Sequence, residues 1–524
     1  MVAAGQQRLE VSSEDPGYRA RPLAVLIVAL IAMAVGLAPM PGLAPAAHRT
    51  LIVLVVAAGL WVSEALPVAI TALLIPVLGA TLGAADARSA FAAFGDPIVF
   101  LFMGTFLLTD AAEQHGLNAR LARGVLGSNW VRGRPTRLLW AVAILGCVIS
   151  AWVNNTATTV MLLPLALTAE RAGSRRLLVA TLLMTSYAPS LGGLATPVGT
   201  APNLIGLRLL EQATGHRPSF DQWCVKFAPL AILATLLTAA WLQFVTGRGK
   251  KGAAGGKVGA DRTNAVGRGV TTAGNNRAAD VSPIADASPL SGGASGPPAA
   301  NSPWSRAERT LIPVFVAVIL LWIAPGILAG TALGGAAWLK AWQSRFPEAV
   351  APLIGALALF LLPSGAARGA RILEAGVLKR VDWSTLLLFG GGLSLGAMMF
   401  ESGLARAMGE AIFKAMPLHG TFGLVLSATL MAVFVSEMTS NTASAALVVP
   451  VVLALAQAAG LDPVKPALAA TIGCSFGFML PVSTPPNALV YATGRVKMRE
   501  MIVYGALLDV VGVALVAGWV TWVG

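Results

Sequence analysis

Two stretches almost three hundred residues apart carry one polar pattern inside apolar surroundings. Ser150-Ala151-Trp152-Val153-Asn154-Asn155-Thr156-Ala157 is echoed by Ser436-Glu437-Met438-Thr439-Ser440-Asn441-Thr442-Ala443. A second polar break follows each copy: Thr196-Pro197-Val198-Gly199-Thr200-Ala201-Pro202-Asn203 in the first half, Leu480-Pro481-Val482-Ser483-Thr484-Pro485-Pro486-Asn487 in the second. The offsets agree, since 441 − 155 = 286 and 487 − 203 = 284. The chain is an internal duplication, and each copy contains two polar interruptions.

What surrounds the interruptions decides the fold class. The chain is 56% hydrophobic and 12% charged, with a mean hydropathy of +0.74. Crossing a hydrocarbon layer of about 30 Å takes roughly 20 helical residues. Apolar runs of about that length lie near 23–45, 48–64, 67–83, 97–117, 226–246, 310–329, 348–363, 383–402 and 501–523, with four more around the polar breaks. This predicts an all-α polytopic membrane protein with about 11 transmembrane helices.

The net charge of +13 comes from dispersed loop residues, which fits orientation in a bilayer better than a nucleic-acid surface. Cys147, Cys224 and Cys474 fall in or near apolar segments at unrelated spacings and read as small buried hydrophobes. The first twenty residues mix Glu10, Glu14 and Asp15 with Arg8 and Arg19, unlike a cleaved signal peptide or an acid-poor transit peptide. From about Gly247 to Asn301 the chain is rich in Gly, Ala, Ser, Asn and Pro, the composition of a flexible linker.

Lysine and arginine positions then set a topology. With the N-terminus cytoplasmic, four crossings bring Arg120, Arg123, Arg132, Arg134 and Arg137 back to the cytoplasm. The next apolar stretch, about 138–170, ends at Arg171, Arg175 and Arg176. Both its ends are basic, so it is expected to enter and return on one side as a re-entrant hairpin with Asn154-Asn155-Thr156 at its tip. The second hairpin, about 420–459, is flanked by loops poor in basic residues and is expected to enter from outside. Five crossings plus one hairpin per repeat, in opposite orientations, is the inverted-repeat plan of secondary transporters. The expected divisions are a cytoplasmic tail (1–22), a first transmembrane helix (23–45), a first repeat (46–246), a flexible cytoplasmic linker (247–308) and a second repeat (309–524). The expected location is the inner (plasma) membrane.

Unpaired backbone groups in lipid cost several kcal/mol each, so broken helices persist only where protein or a water-filled cavity satisfies them. A single Asn-Thr or Pro-Asn in a membrane helix is more often a kink or a packing contact. Two different breaks duplicated in the same order argue for a binding site. Each tip leaves oxygens to ligate a small cation, and the helix starting at Ala157 or Ala443 aims free N–H groups at an anion. Pro164 with Pro450, and Gly104 with Gly390, also match at an offset of 286 and read as packing or kinks.

At these residues the chain resembles the divalent anion/sodium symporter family, which includes INDY-type dicarboxylate transporters and citrate carriers. Ser440-Asn441-Thr442 and Thr484-Pro485-Pro486-Asn487 match its signature fully. The first copies depart from it, with Asn154 in the usual serine place and Ala201 in the place of the first proline. The resemblance implies sodium as coupling ion, one ion near Ser150, Asn155 and Gly199 and another near Ser436, Asn441 and Ser483. It implies that substrate carboxylates are held by Asn155, Thr156, Thr200, Ser440, Thr442, Thr484 and Pro485, with Asn154 added for its position. It also implies a homodimer in which a domain carrying the hairpins moves as a rigid body, elevator-like, against a scaffold.

Among ionisable residues in apolar segments, Glu437 reads as a brace of the second hairpin, while Glu64, Asp110, Glu113 and Asp509 are candidates by location. His48, His115, His216 and His419 have no partner at metal-site spacing and read as interfacial or loop residues. No nucleophile, metal or nucleotide motif of an enzyme is present. The favoured function is sodium-coupled symport of di- or tricarboxylates. A sodium-independent exchanger, a proton-coupled carrier or a sulfate carrier of the same fold stays open.

Overall fold

The computed structural model describes residues 21–247 and 303–523, apart from residues 127, 129, 132, 133, 173, 368 and 416–419. The tail to residue 20, most of the expected linker, Arg132 and His419 lie outside the described residues. Among those described, regular structure is helical, with one isolated bridge between Pro363 and Arg371. Nine helices among the described residues are long and apolar enough to cross a membrane, and four shorter apolar helices accompany them.

The first half contains α1 (Pro22–Leu37), α2 (Pro45–Ser63), α3 (Val68–Thr81), α4 (Ala87–Ala92), α5 (Pro97–Gln114) and α6 (Leu117–Leu126). It continues with α7 (Pro135–Ser150), α8 (Asn155–Leu167), α9 (Arg175–Gly192), α10 (Ala201–Thr214) and α11 (Phe220–Gly247). The second half contains α12 (Arg306–Ala329), α13 (Ala337–Arg345), α14 (Val350–Leu361), α15 (Trp383–Glu401) and α16 (Leu404–Ala415). It ends with α17 (Gly420–Met438), α18 (Asn441–Ala458), α19 (Val464–Gly473), α20 (Pro485–Ala492) and α21 (Met498–Val523). From α5 to α11 and from α15 to α21 the element order repeats.

Three boundaries differ from the sequence reading. The run 23–45 is not one helix: α1 stops at Leu37 because Pro39 forces Ala38 into extended backbone (φ −70°, ψ 128°). α12 starts at Arg306, inside the expected linker, because Ser305 and Glu308 form a capping box, each side chain bonding the other's backbone N–H. α13 was not anticipated, since its Trp, Lys, Gln and Arg residues hide it from hydropathy.

Small residues and internally bonded hydroxyls let one helix, α9, bury itself almost completely. Every residue of α9 from Leu177 to Gly192 is buried, and Thr181 and Thr185 return their hydroxyls to carbonyls four residues earlier at 2.8 Å. α9 packs on α7 through Gly192, where a Cβ would meet the Cys147 carbonyl oxygen at 2.4 Å. The halves interlock: α10 packs on α18, α20 on α8, α3 on α15, and α5 on α14. Each half's second break therefore lies against the other half's hairpin.

Candidate functional site

Both hairpin tips are capped helix starts. In the first, Asn154 is the N-cap of α8 and its Oδ1 accepts from the Thr156 N–H at 2.7 Å. In the second, Ser440 is the N-cap of α18 and its hydroxyl accepts from the Ala443 N–H at 3.3 Å. Behind each cap a serine bonds the next asparagine, Ser150 Oγ to Asn155 Oδ1 at 2.5 Å and Ser436 Oγ to Asn441 Oδ1 at 2.8 Å. These contacts hold the Asn155 and Asn441 oxygens against the buried serines, and the caps take up the Thr156 and Ala443 N–H groups while other first-turn N–H groups of α8 and α18 stay without a helical partner.

The partner breaks are held by one device used twice. Asn203 Nδ2 donates to the carbonyls of Gly193 and Thr196 at 3.0 and 2.9 Å. Asn487 Nδ2 donates to those of Gly477 and Leu480 at 2.9 and 3.0 Å. Glycine is required where tip meets break. A Cβ on Gly193 would lie 3.0 Å from Asn155 Oδ1 and 2.9 Å from the Gly199 oxygen, and one on Gly477 would lie 3.1 Å from Ser436 Oγ.

Tips and breaks converge on one cavity of about 320 Å³, within the range of small-ligand sites. Its wall includes Asn154, Asn155, Thr156, Gly199, Thr200, Ser440, Asn441, Thr442, Ser483, Thr484 and Pro485. Ser150 and Ser436 do not reach the wall; both are fully buried behind the asparagines they bond. Sequence reasoning missed the remaining lining, chiefly Val68, Phe102, Thr105, Phe106, Thr109 and Trp152, together with Asp382, Ser384, Thr385 and Leu388. One signal would have found part of it, since Asp96 and Asp382 match at the same offset, 382 − 96 = 286. Both are N-caps, of α5 and α15. Among the described residues no lysine or arginine lines the cavity, so the donors an anion meets there are neutral side chains and helix N-termini.

Asp382 and Ser384 are exposed and mark the mouth. Trp152, on the cavity wall, stacks on Phe220 (6.3 Å) and Trp322 (6.5 Å), which stack on each other at 4.9 Å. An ion network links Asp96 to Glu348. Asp96 pairs with Arg208 (2.7 Å), Arg208 with Glu211 (2.9 Å), Glu211 with Arg217 (3.5 Å), and Arg217 with Glu348 (3.1 Å). Asp96 begins α5, while Asp110, fourteen residues on or about 21 Å along a helix, pairs with Arg380 at 2.9 Å toward the mouth.

Glu437 joins the end of α17 to the second break: its carboxylate accepts from the Met479 N–H and the Ser483 hydroxyl, both at 2.8 Å. Asp509 of α21 lies buried beside it. The first half has Ala151 and Val225 at the matching positions, 437 − 286 and 509 − 284. His48 and His115 each bond a backbone carbonyl, of Val35 and Ile372, and no group of three metal-binding side chains occurs among the described residues.

A helical membrane fold with matched broken helices around a polar cavity defines a membrane transporter. The model of the citrate transporter family matches residues 58–473 and 419–523, and the chain belongs to that family. A transporter from Haemophilus influenzae is 30% identical over 484 residues, covering 91% of this chain and 92% of the relative. The sodium-dependent dicarboxylate transporters SdcS of Staphylococcus saprophyticus and Staphylococcus aureus are each 26% identical, covering 87% of this chain and 82% of theirs. The YdaH transporter of Alcanivorax borkumensis shares the fold, with a TM-score of 0.54 at 16% identity over 96% of both chains.

Proposed function

We propose that the chain is a sodium-coupled symporter of di- or tricarboxylates that works by alternating access. The observation that carries this reading is the paired arrangement of Ser150 with Asn155 and Ser436 with Asn441 behind one cavity that has no fixed positive charge. A dianion needs countercharge to cross mid-membrane, and bound sodium supplies it. The residues fit a hard monovalent cation. Each break gathers carbonyl, hydroxyl and amide oxygens, and the buried Oδ1 atoms of Asn203 and Asn487 have no hydrogen-bond partner. Ser150, Asn155 and Gly199 would hold one ion, and Ser436, Asn441 and Ser483 the other.

Within this reading Thr156, Thr200, Thr442 and Thr484 turn hydroxyls to the carboxylates, with Asn154, Asn155, Ser440 and Pro485 completing the wall. Arg380 and Lys379 near the mouth favour a cytoplasmic opening by the positive-inside rule, with the N-terminus on that side and the two halves inverted. Tips and breaks then move together against α5, α12 and α14 as a rigid body, in a homodimer of the inner membrane. That the SdcS relatives are sodium-dependent dicarboxylate transporters supports the choice of ion and substrate class.

A proton-coupled or exchanging carrier is the second reading, favoured by the buried Glu437 and Asp509 carboxyls beside the second break. Uptake of radiolabelled succinate into proteoliposomes separates the two. Accumulation driven by an inward sodium gradient, lost in choline and lost in Asn155→Ala and Asn441→Ala, supports symport. Uptake that ignores sodium and follows a pH gradient or preloaded substrate replaces symport with the second reading.

A further inference from the structure

The two half-sites are equal in frame and unequal in donors. Thr200 and Thr484, which precede the helices of the second breaks, have nearly the same backbone, φ −148°, ψ 146° and φ −146°, ψ 145°. The residues that follow differ. Ala201 presents a backbone N–H in the first turn of α10, where no helical carbonyl is available to it, while Pro485 has no N–H to present. Both line the cavity.

The hairpin tips differ in the same sense. Asn154 has its oxygen engaged by the Thr156 N–H at 2.7 Å. This fixes which end of the amide is which and turns the NH₂ group away from the helix. Ser440, its counterpart, has a single O–H to donate. The first half-site thus exceeds the second by two donors net, since Asn154 has two N–H groups where Ser440 has one O–H and Ala201 adds one where Pro485 has none, in a cavity that no lysine or arginine lines among the described residues.

A plain carboxylate makes the same demands at both ends of a symmetric dicarboxylate. Asn154 and Ala201 are half-buried on the cavity wall, and a bound substrate that covers surplus donors without giving them an acceptor loses affinity, so such a site discriminates against substrates lacking the matching oxygen. Resting on the dicarboxylate reading above, we propose that Asn154 and Ala201 recognise an oxygen on the carbon next to one carboxylate. The preferred substrates are then 2-hydroxy or 2-oxo dicarboxylates, bound with that end in the first half-site.

The test is competition binding in sodium buffer on the full chain in nanodiscs, with succinate, malate and 2-oxoglutarate as probes. Malate or 2-oxoglutarate is expected to bind tighter than succinate by about 3- to 10-fold, the worth of one net hydrogen bond. Asn154→Ser and Ala201→Pro each copy the second half-site into the first, and proline suits the first position of a helix. Each variant is expected to lower the ratio of affinities, and the double variant to bring it within about twofold of one. The ratio is the readout, so equal weakening of all three probes assigns Asn154 and Ala201 a structural role and overturns the proposal. A ratio of one in the unsubstituted protein, with succinate bound, overturns it too. If the unsubstituted protein binds none of the three, the dicarboxylate reading itself fails, and the inference with it.

Discussion

Asn203 and Asn487 occupy equivalent places in the two halves, and each grips the carbonyls ten and seven residues before it at 2.9–3.0 Å. Each amide replaces, with two side-chain bonds, the helical bonds that the break forfeits. Removing it leaves two buried carbonyls without a donor, at about 1–3 kcal/mol each. Asn203→Ala and Asn487→Ala are therefore expected to lower the thermal unfolding midpoint by similar amounts, read by tryptophan fluorescence in detergent. A fall in only one of them would mean that the second clamp is dispensable.

Ser150 and Ser436 sit behind the tips and orient the amides of Asn155 and Asn441. Ser150→Ala and Ser436→Ala are expected to raise the sodium concentration that half-saturates uptake by roughly 3- to 10-fold, the worth of one net hydrogen bond. Gly199→Ala should act more severely, because the added Cβ would lie 2.5 Å from the Gly193 oxygen. Sodium titrations of succinate uptake check both, and an unchanged half-saturation in all three removes these residues from ion binding.

Arg120 reaches from α6 to Glu308 at 2.6 Å, both side chains being almost wholly buried, and its guanidinium lies 4.9 Å from the Trp304 ring. Removing one partner strands the other charge at a cost of about 3–5 kcal/mol. Glu308→Ala also undoes the capping box of α12. Arg120→Met is expected to destabilise strongly, and Arg120→Met with Glu308→Leu to regain much of the loss. A double variant as unstable as the sum of the singles would contradict this.

Glu348, at the end of the ion network and outside the membrane-spanning helices, has its carboxyl raised above the ordinary value, chiefly by burial, with Arg217 pulling the other way. The sign follows. An acid whose folded pKa is raised is least favourable to the fold when ionised, so its penalty is present above the folded pKa and is relieved as pH falls through it. Below the ordinary glutamate range, near 4.3, both states are protonated and the dependence ends. Glu348→Gln should flatten the pH dependence of the unfolding midpoint between neutrality and that range. Parallel profiles for the variant and the unsubstituted chain would show that Glu348 contributes nothing to it.

Much of the architecture was legible because the bilayer leaves few options. Asn155, Asn441 and the two Pro-Asn breaks were visible as polar residues where lipid forbids them, and the structure gathers them around one cavity. Phe102, Thr105 and Trp152 were not legible, since an apolar or hydroxyl residue on a membrane helix looks the same facing a ligand, a neighbour or lipid. α13 escaped because hydropathy registers only apolar helices. The network from Asp96 to Glu348 escaped because its members are spread over some 250 residues (348 − 96 = 252) and meet only through the fold.

The repeated asparagine clamp has a consequence for how such a carrier diverges. Since both breaks keep their shape through the same amide and the same carbonyl spacing, the residues between can differ from one copy to the other. Ala201, which stands where the second copy has Pro485, lies in that stretch. Selection can retune one end of the cavity without renegotiating the fold, so a single gene behaves at this place as two loci under separate pressures.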